Sequence, residues 1–405
     1  MSESQPAGAL AGFKVIDLSR VLAGPYCTQI LADHGAEVIK VEPPQGDDTR
    51  DWGPPYNEEG LSSYYSGINR NKRAIALDLG KPEGKQVLFR LLEKADALIE
   101  NFKAGSMRKW GLGYEEVLRE KFPRLIYCSI TGFGEHGPMG GFPGYDAAVQ
   151  AFTGLVSVNG SPESGQMRLG IPLVDMGTGL YSAIGILLAA QARQRTGRGQ
   201  RVDTTLFDTG VALLHPHAAN YFMSGKAPKL TGNAHPNVAP YSLYKTKHGD
   251  VLLAIGNDRQ FRLLCEVVNR PDLGKDERFR TNGDRLKNRD AMEVELVAAF
   301  AGYTAEEISA ALLKAGAPSG AALTVPEVLE HAHTEARRMT VRIDGYRGTG
   351  VPVKLGETPG SARTKPPVFG AETRKVLKEH GVTDAEIDKL IADRIAFTER
   401  QKGPA

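Results

Sequence analysis

Cysteine is scarce in this chain: Cys27, Cys128 and Cys265 are the only three in 405 residues. Three thiols set so far apart exclude a disulfide scaffold and a cysteine-rich metal site, and they fit reduced cysteines in a cytoplasmic protein. Charge of one sign is scarce as well. Lys plus Arg is 50 and Asp plus Glu is 48, a formal net charge of +2. The concentrated basic excess that phosphate-dominated binding needs is absent, so nucleic acid is not an expected partner. Long apolar runs are also few. The longest, LYSAIGILLAAQA at 180–192, is shorter than the roughly 20 residues that cross a bilayer. A buried core helix is the expectation there, with no membrane partner. The opening MSESQPAG has no basic segment leading into an apolar one, which points to a cytoplasmic location. No HExxH, CxxC or GxSxG occurs. The pairs His215/His217 and His331/His333, two residues apart, would point to different faces of a helix. No metal, no permanently bound cofactor and no α/β-hydrolase triad are therefore expected.

What the chain has in surplus is glycine. The 46 glycines are about 11% of the residues, against a typical share of about 7%, and they suggest tight turns or close backbone approach to a ligand. Hydrophobic residues at 41% and charged residues at 24% describe a globular protein.

Along the chain, short Val/Ile-rich runs alternate with amphipathic stretches. KVIDL (14–18), EVIKVE (37–42), AIALDL (74–79), DALIENF (96–102) and RLIYCSITGFG (124–134) read as strands. PYCTQILADHG (25–35) and KPEGKQVLFRLLEKA (81–95) read as helices between them. Such alternation means βαβ units and a parallel sheet covered on both faces, a Rossmann-like doubly wound α/β domain. A helix over 177–195 and a strand over 201–207 follow. After about residue 220 the pattern becomes a hairpin, turning at His248-Gly249-Asp250, and then helices, as in a smaller α+β domain. The tail over 371–394 reads as two helices separated by Gly381, with Thr383 as the second N-cap. The expected layout is a large domain from 1–220, a small one from 221–325, and a return to the large domain over 326–405.

Gly132-Phe133-Gly134-Glu135-His136-Gly137 matches GxGxxG after a strand, but Pro138, Gly140, Gly141 and Pro143 follow at once. A dinucleotide site needs a helix to open there, and this segment will not form one. It is read as an irregular loop at the carboxyl end of a strand, where α/β sheets place ligands. The basic turn Arg195–Arg201 reads as a helix C-cap. Asp175, in LGIPLVDMGTG, stands where an apolar run meets a helix. It is equally an N-cap and a nucleophile favoured by the helix dipole, with Gly177 and Gly179 leaving room for a ligand.

The chain resembles the family III CoA-transferases, the group of formyl-CoA and carnitine CoA-transferases. The resemblance rests on VLAGPYCTQILADHGAEVIKVEPP (21–44), GDDTR (46–50), NRNKRAIALDL (69–79) and ALIENFKAG (97–105). It continues through GYDAAVQAFTGL (144–155), the Asp175 segment and RTGRGQRVD (195–203). It implies that Asp175 is the catalytic carboxylate, which attacks a donor thioester to give an aspartyl anhydride and then an aspartyl-CoA thioester. It also implies coenzyme A contacts at Val21, Ala23, Leu77, Asn101, Phe102, Gly144 and Tyr145, with Lys109, flanked by Arg108, on a CoA phosphate. CoA enters as part of the acyl-CoA substrate. An interlocked homodimer is implied too, as is a glycine-rich shielding loop, which falls on Gly232-Asn233-Ala234-His235-Pro236 with only one glycine.

Three departures narrow the reading. A basic family position falls on Pro43, a glutamine position on Leu22, and the histidine of the related α-methylacyl-CoA racemases on Tyr145. A phenol with an ordinary pKa of about 10 is a poor base for an α-proton at neutral pH. Transfer is thus favoured over racemisation, and over a CoA-binding protein without turnover. GDDTRDWGPP (46–55), HAANY (217–221) and the 232–240 loop look most like succinyl-CoA-dependent transferases whose acceptor is a short dicarboxylic acid. A second carboxylate calls for a cation, and the candidates are Arg50, Arg70, Lys72 and His235.

Overall fold

The structure is a computed structural model and describes residues 7–401. It divides into two compact units. One comprises the chain up to Gly154, Leu169–Leu214 and Ala332 onward; the other comprises Leu155–Arg168 and His215–His331.

The larger unit is built on a seven-stranded sheet. Strands β1 (Lys14–Asp17), β2 (Glu37–Glu42), β3 (Lys72–Leu77), β4 (Ala97–Glu100) and β5 (Ile126–Thr131) lie parallel in the order β3-β2-β1-β4-β5. Arg201–Thr205 extends the sheet in parallel beyond β5, and Ala396–Phe397 closes the other edge antiparallel to β3. Chain direction across the sheet reverses beside β1, the switch point at which doubly wound sheets open a crevice. The strands are buried along nearly their whole length, as expected when helices cover both faces. Ile16, Ile39, Ile75 and Leu98 form a core with Leu88 and Leu91 of the helix Pro82–Leu92 and Val376 and Leu377 of the tail. The tail helices Thr373–Glu379 and Asp384–Ala392 lie as the sequence suggests, the second opened by a Thr383/Glu386 capping box. The α/β reading of this unit is observed.

The smaller unit has a three-stranded antiparallel sheet, Tyr241–Lys245, Asp250–Ala254 and Ser319–Ala321, and a short hairpin that pairs Gly160–Ser161 with Gly165–Gln166. Helices Asp258–Val267, Arg289–Phe300 and Ala305–Ala315 join them around Phe261, Phe279, Leu296 and Phe300.

The long helix runs from Leu173 to Thr196, four residues earlier than its expected start. It is also not the fully buried rod expected from its composition. Gly179, Ser182, Ala183 and Ala189 are buried, and a Cβ on Gly179 would come within 2.7 Å of the Ala23 carbonyl, so only glycine lets the two helices touch there. The opposite face exposes Leu180, Tyr181, Ile184, Leu187 and Leu188. Among the described residues it is the one helix long and apolar enough to cross a membrane, although its small-residue face lies against the helix Ala23–Asp33.

A buried ionic network joins the carboxyl ends of β1 and β2 to the start of β3. Lys72 Nζ sits 3.2 Å from Asp17 Oδ2 and donates to the Pro25 carbonyl at 2.8 Å and to Asn69 Oδ1 at 2.9 Å. Lys40 Nζ pairs with Asp47 Oδ2 at 2.9 Å and donates to the Ser19 carbonyl at 2.7 Å. Arg50 forks onto Glu42 at 2.8 and 2.7 Å and stacks on the Tyr65 ring at 3.8 Å. Burial alone would raise the Asp47 carboxyl, but Lys40 and the Thr49 hydrogen bonds outweigh it and hold the group at about 2. Removing one member of a buried pair leaves its partner uncompensated. Lys40→Met is therefore expected to cost about 3–5 kcal/mol, read as an earlier midpoint in urea unfolding followed by circular dichroism. An unchanged midpoint would remove this network from the account of stability.

Candidate active site

Two adjoining hollows open at the carboxyl ends of the strands in the larger unit. The first, of about 250 Å³, is walled by Arg20–Ala23 after β1, Asn101–Ala104 after β4, Ile130–Gly132 at the end of β5, and the Phe142–Tyr145 loop. Asp175 lies in it. The second, of about 350 Å³, is more apolar and shares Arg20 and Phe102 with the first. Leu77, Leu79, Pro43 and Trp110 line it, and Phe102 meets Trp110 edge to face at 5.0 Å.

The walls are held by specific backbone restraints. Val21 has φ 68, a left-handed conformation that a β-branched residue rarely adopts. Its N–H donates to Asp47 Oδ1 at 3.3 Å. Just before it, the Asn101 side chain accepts from Arg20 N at 2.8 Å and donates to Arg20 O at 2.7 Å. Asp17 accepts from Ser19 N, and Lys40 donates to the Ser19 carbonyl. The ionic network thus fixes the turn that leads into the first helix. On the far wall Gly132 and Gly144 approach so closely that a Cβ on Gly132 would come within 2.6 Å of Gly144 N. No helix opens at 132–137, as the prolines foretold, and the next begins at Asp146.

Asp175 is not the N-cap. The helix starts at Leu173 after Pro172, which makes no side-chain cap, so Asp175 falls within the first turn. The amides of Val174 and Asp175 are taken instead by Asp146 Oδ2, at 2.8 and 3.0 Å. The dipole therefore stabilises Asp146, contrary to the expectation that it would favour the Asp175 carboxylate. Burial raises Asp175 to about 7, and the neighbouring Asp146 charge adds to that rise. Tyr64 stands within electrostatic reach of both carboxylates. Its phenol is pushed up to about 12, first by burial and then by Asp175, Asp146 and Asp47. Tyr64 and Asp146 escaped the reading of single motifs. Asp146 had a signal, an Asp with Gln four residues on at the start of a helical pattern.

Of the residues singled out from sequence, Val21, Ala23, Asn101, Phe102, Gly144, Tyr145 and Asp175 line the first hollow. Leu77 lines the second. Lys109 is exposed and lines neither. Its neighbour Arg108 is bonded to Glu116 at 2.7 Å and lies 3.7 Å from Glu135. The cations on the walls of the first hollow are Arg20 and Lys103. Arg20 lies 3.7 Å from Asp48 and 5.6 Å over the Phe102 ring. Three of the four cations expected to meet a second carboxylate are already engaged. Arg50 is bound to Glu42, Lys72 to Asp17, and Arg70 to Asp33 at 2.9 and 2.6 Å, all of them buried. Their runs of basic letters concealed carboxylate partners distant in sequence. His235 belongs to the smaller unit, where its ring lies 5.0 Å from that of Tyr241.

Comparison with known proteins agrees with this architecture. The family model for CoA-transferase family III matches residues 10–373. The chain is 40% identical over 381 residues to the succinate–glutarate CoA-transferase of Agrobacterium fabrum, covering 91% of this chain and 95% of that protein. It is 38% identical to the succinyl-CoA:glutarate CoA-transferase of Mus musculus, covering 95% of this chain and 90% of that one. Among solved structures, a CAIB/BAIF family protein from Brucella suis superposes with a TM-score of 0.84 at 41% identity, covering 93% of this chain and 100% of the other. Rv3272 from Mycobacterium tuberculosis gives 0.81 at 30%, covering 91% and 99%. The parallel sheet, the crevice at its switch point and a match over nearly the whole length lead to one conclusion: the chain belongs to CoA-transferase family III and is a CoA-transferase.

Proposed function

We propose that this enzyme moves CoA from succinyl-CoA to a short dicarboxylic acid through covalent intermediates on Asp175. The observation that carries the reading is Asp175 itself, a carboxylate held at about 7 by burial and a like charge, in the hollow where the strands end. A basic carboxylate that is still ionised at neutral pH is a competent nucleophile toward a thioester. Its oxygen attacks the donor carbonyl, the C–S bond breaks, and a mixed anhydride and CoA thiolate result. The thiolate then attacks the Asp175 carbonyl of the anhydride, releasing succinate and leaving an aspartyl-CoA thioester. The acceptor carboxylate attacks that carbonyl and expels the thiolate, forming a second anhydride. Thiolate attack on the acceptor's carbonyl gives the product and restores the Asp175 carboxylate. No net proton is consumed.

Val21, Ala23, Asn101, Phe102, Gly144 and Tyr145 would contact the thioester arm of CoA, and Leu77 the remainder in the apolar second hollow. Arg20 and Lys103 are better placed than Lys109 to meet its charged groups, because they stand on the walls. Glutarate transfer by the Agrobacterium and mouse relatives supports a dicarboxylate acceptor. Among the described residues that line the Asp175 hollow there is no histidine, which favours transfer over α-proton exchange. The apolar face formed by Leu180, Ile184, Leu187 and Leu188 on the long helix is wider than a solvated helix face needs. A second copy of the chain would cover it, making the enzyme a homodimer.

Three outcomes test the reading. Asp175→Asn should lose transfer between succinyl-CoA and glutarate by at least about a thousandfold, the scale seen when a nucleophile is removed, while CoA still binds in calorimetry. Retained turnover would sink the assignment. Intact mass spectrometry of wild-type enzyme mixed with succinyl-CoA should show a CoA adduct mapping to the Asp175 peptide, and its absence under rapid quench would count against the thioester. Only the ionised form attacks, so kcat/KM for the donor should be level above about pH 7 and fall tenfold per unit below it. A profile flat from pH 5 to 8 would contradict the basic carboxylate.

A further inference from the structure

Asp146 opens the helix Asp146–Phe152 and is buried. Its Oδ2 accepts two amides of the neighbouring helix, from Val174 and Asp175. Its Oδ1 accepts from Gln150 Nε2, one turn along the same helix. Gln150 Oε1 in turn accepts from Leu169 N at 2.9 Å. The two side chains therefore grip both ends of the 169–175 segment. No Lys, Arg or His makes an ion pair with Asp146 or Asp175 among the described residues.

We infer that Asp146 is a positioning residue that takes the positive end of the Asp175 helix for its own carboxylate and leaves Asp175 beside a negative charge that no cation pairs, which sets the pH range of transfer. The link to turnover rests on Asp175 being the nucleophile. A helix N-terminus offers two or three free amides and a partial positive charge. Asp146 uses two of those amides, so the charge that the helix stabilises is not the reacting one. Burial and this like charge both act in the direction that raises Asp175. The other titratable groups around it are the Tyr64 phenol from the short helix Ser63–Ser66, and Arg20, Asp48, Lys103 and Tyr145 on the walls of the hollow. A carboxylate with higher basicity attacks a thioester faster, so removing the charge should shift the titration and slow the chemical step together.

The experiment follows the Asp175 carboxyl by carbon NMR on aspartate-labelled enzyme, its resonance assigned by loss in Asp175→Asn, beside the pH profile of kcat/KM. Asp146→Asn keeps the shape and one acceptor but loses the charge. Its midpoint should fall by about one pH unit in both readouts, with kcat on the plateau down several-fold. Asp146→Glu, which keeps the charge, should hold the midpoint near that of wild type. A slower Asp146→Asn enzyme with an unmoved midpoint would reduce Asp146 to a structural cap and overturn the inference, as would an Asn-like midpoint in Asp146→Glu. Should Asp146→Asn not fold, Asp146→Ser offers a short acceptor near the two amides without the charge; its midpoint should fall as well, and an unmoved midpoint overturns the inference. Transfer that persists in Asp175→Asn would overturn the nucleophile and the link to turnover, while the carboxyl titration still reads the pairing itself.

Discussion

A helix N-terminus has a few free amides and one region of positive potential, so a single carboxylate satisfies it. In this chain that carboxylate comes from another helix. Asp146 reaches across to the amides of Val174 and Asp175, and the helix that carries Asp175 begins where Asp146 holds it. Two consequences follow from the same contact. The backbone at Asp175 is fixed, and its side chain is left beside a negative charge. Had Asp175 been its own N-cap, its oxygen would have been turned back toward the amides and held at lower basicity, two changes that both disfavour attack on a thioester.

The rest of the scaffold serves this corner by bringing the opposite wall to it. Parallel strands end in unsatisfied backbone and in loops that need anchoring. Here the anchor is ionic. Asp17, Lys40, Asp47 and Lys72 are buried between the carboxyl ends of β1 and β2 and the start of β3, and through Ser19 and Val21 they hold a left-handed turn in place. Buried ions are poor sources of net stability, because desolvation offsets most of the attraction. Their value lies in fixing one geometry for a strained turn. Four cations, Lys40, Arg50, Arg70 and Lys72, are matched to carboxylates inside the fold in this way.

Much of this was legible in the sequence because parallel strands need continuous apolar runs. EVIKVE was read as a strand and is one, residue for residue, and the Gly/Pro loop at 132–144 was rightly denied a helix. The site was legible to the extent that its residues lie in contiguous blocks at the ends of those strands. Pairing was not legible. Arg50, Arg70 and Lys72 look like free cations in a string of letters, and only the fold sets Glu42, Asp33 and Asp17 against them. The same limit hid the cap. Asp before a helical run normally caps its own helix, and nothing local to LGIPLVDMGTG reveals that a carboxylate 29 residues earlier has taken the position. The exposed face of the long helix was missed for a related reason, since composition reports how apolar a segment is and not which side a neighbour covers.

The raised basicity of Asp175 fits the exchange proposed for it. An ordinary aspartate near 3.9 is a weak nucleophile toward a thioester, and a thiol near 8.5 is a good leaving group only as thiolate. A carboxyl at about 7 lies between the two. In the proposed exchange it would attack more readily than the acids it exchanges, yet it would still leave when thiolate adds to the substrate's acyl carbonyl in the anhydride. Pushed much higher, it would be protonated at neutral pH and lost as a nucleophile; left at its usual value, it would attack a thioester more slowly. A fixed like charge is a suitable way to reach the intermediate value, because two backbone amides of the neighbouring helix hold Asp146 in place beside Asp175.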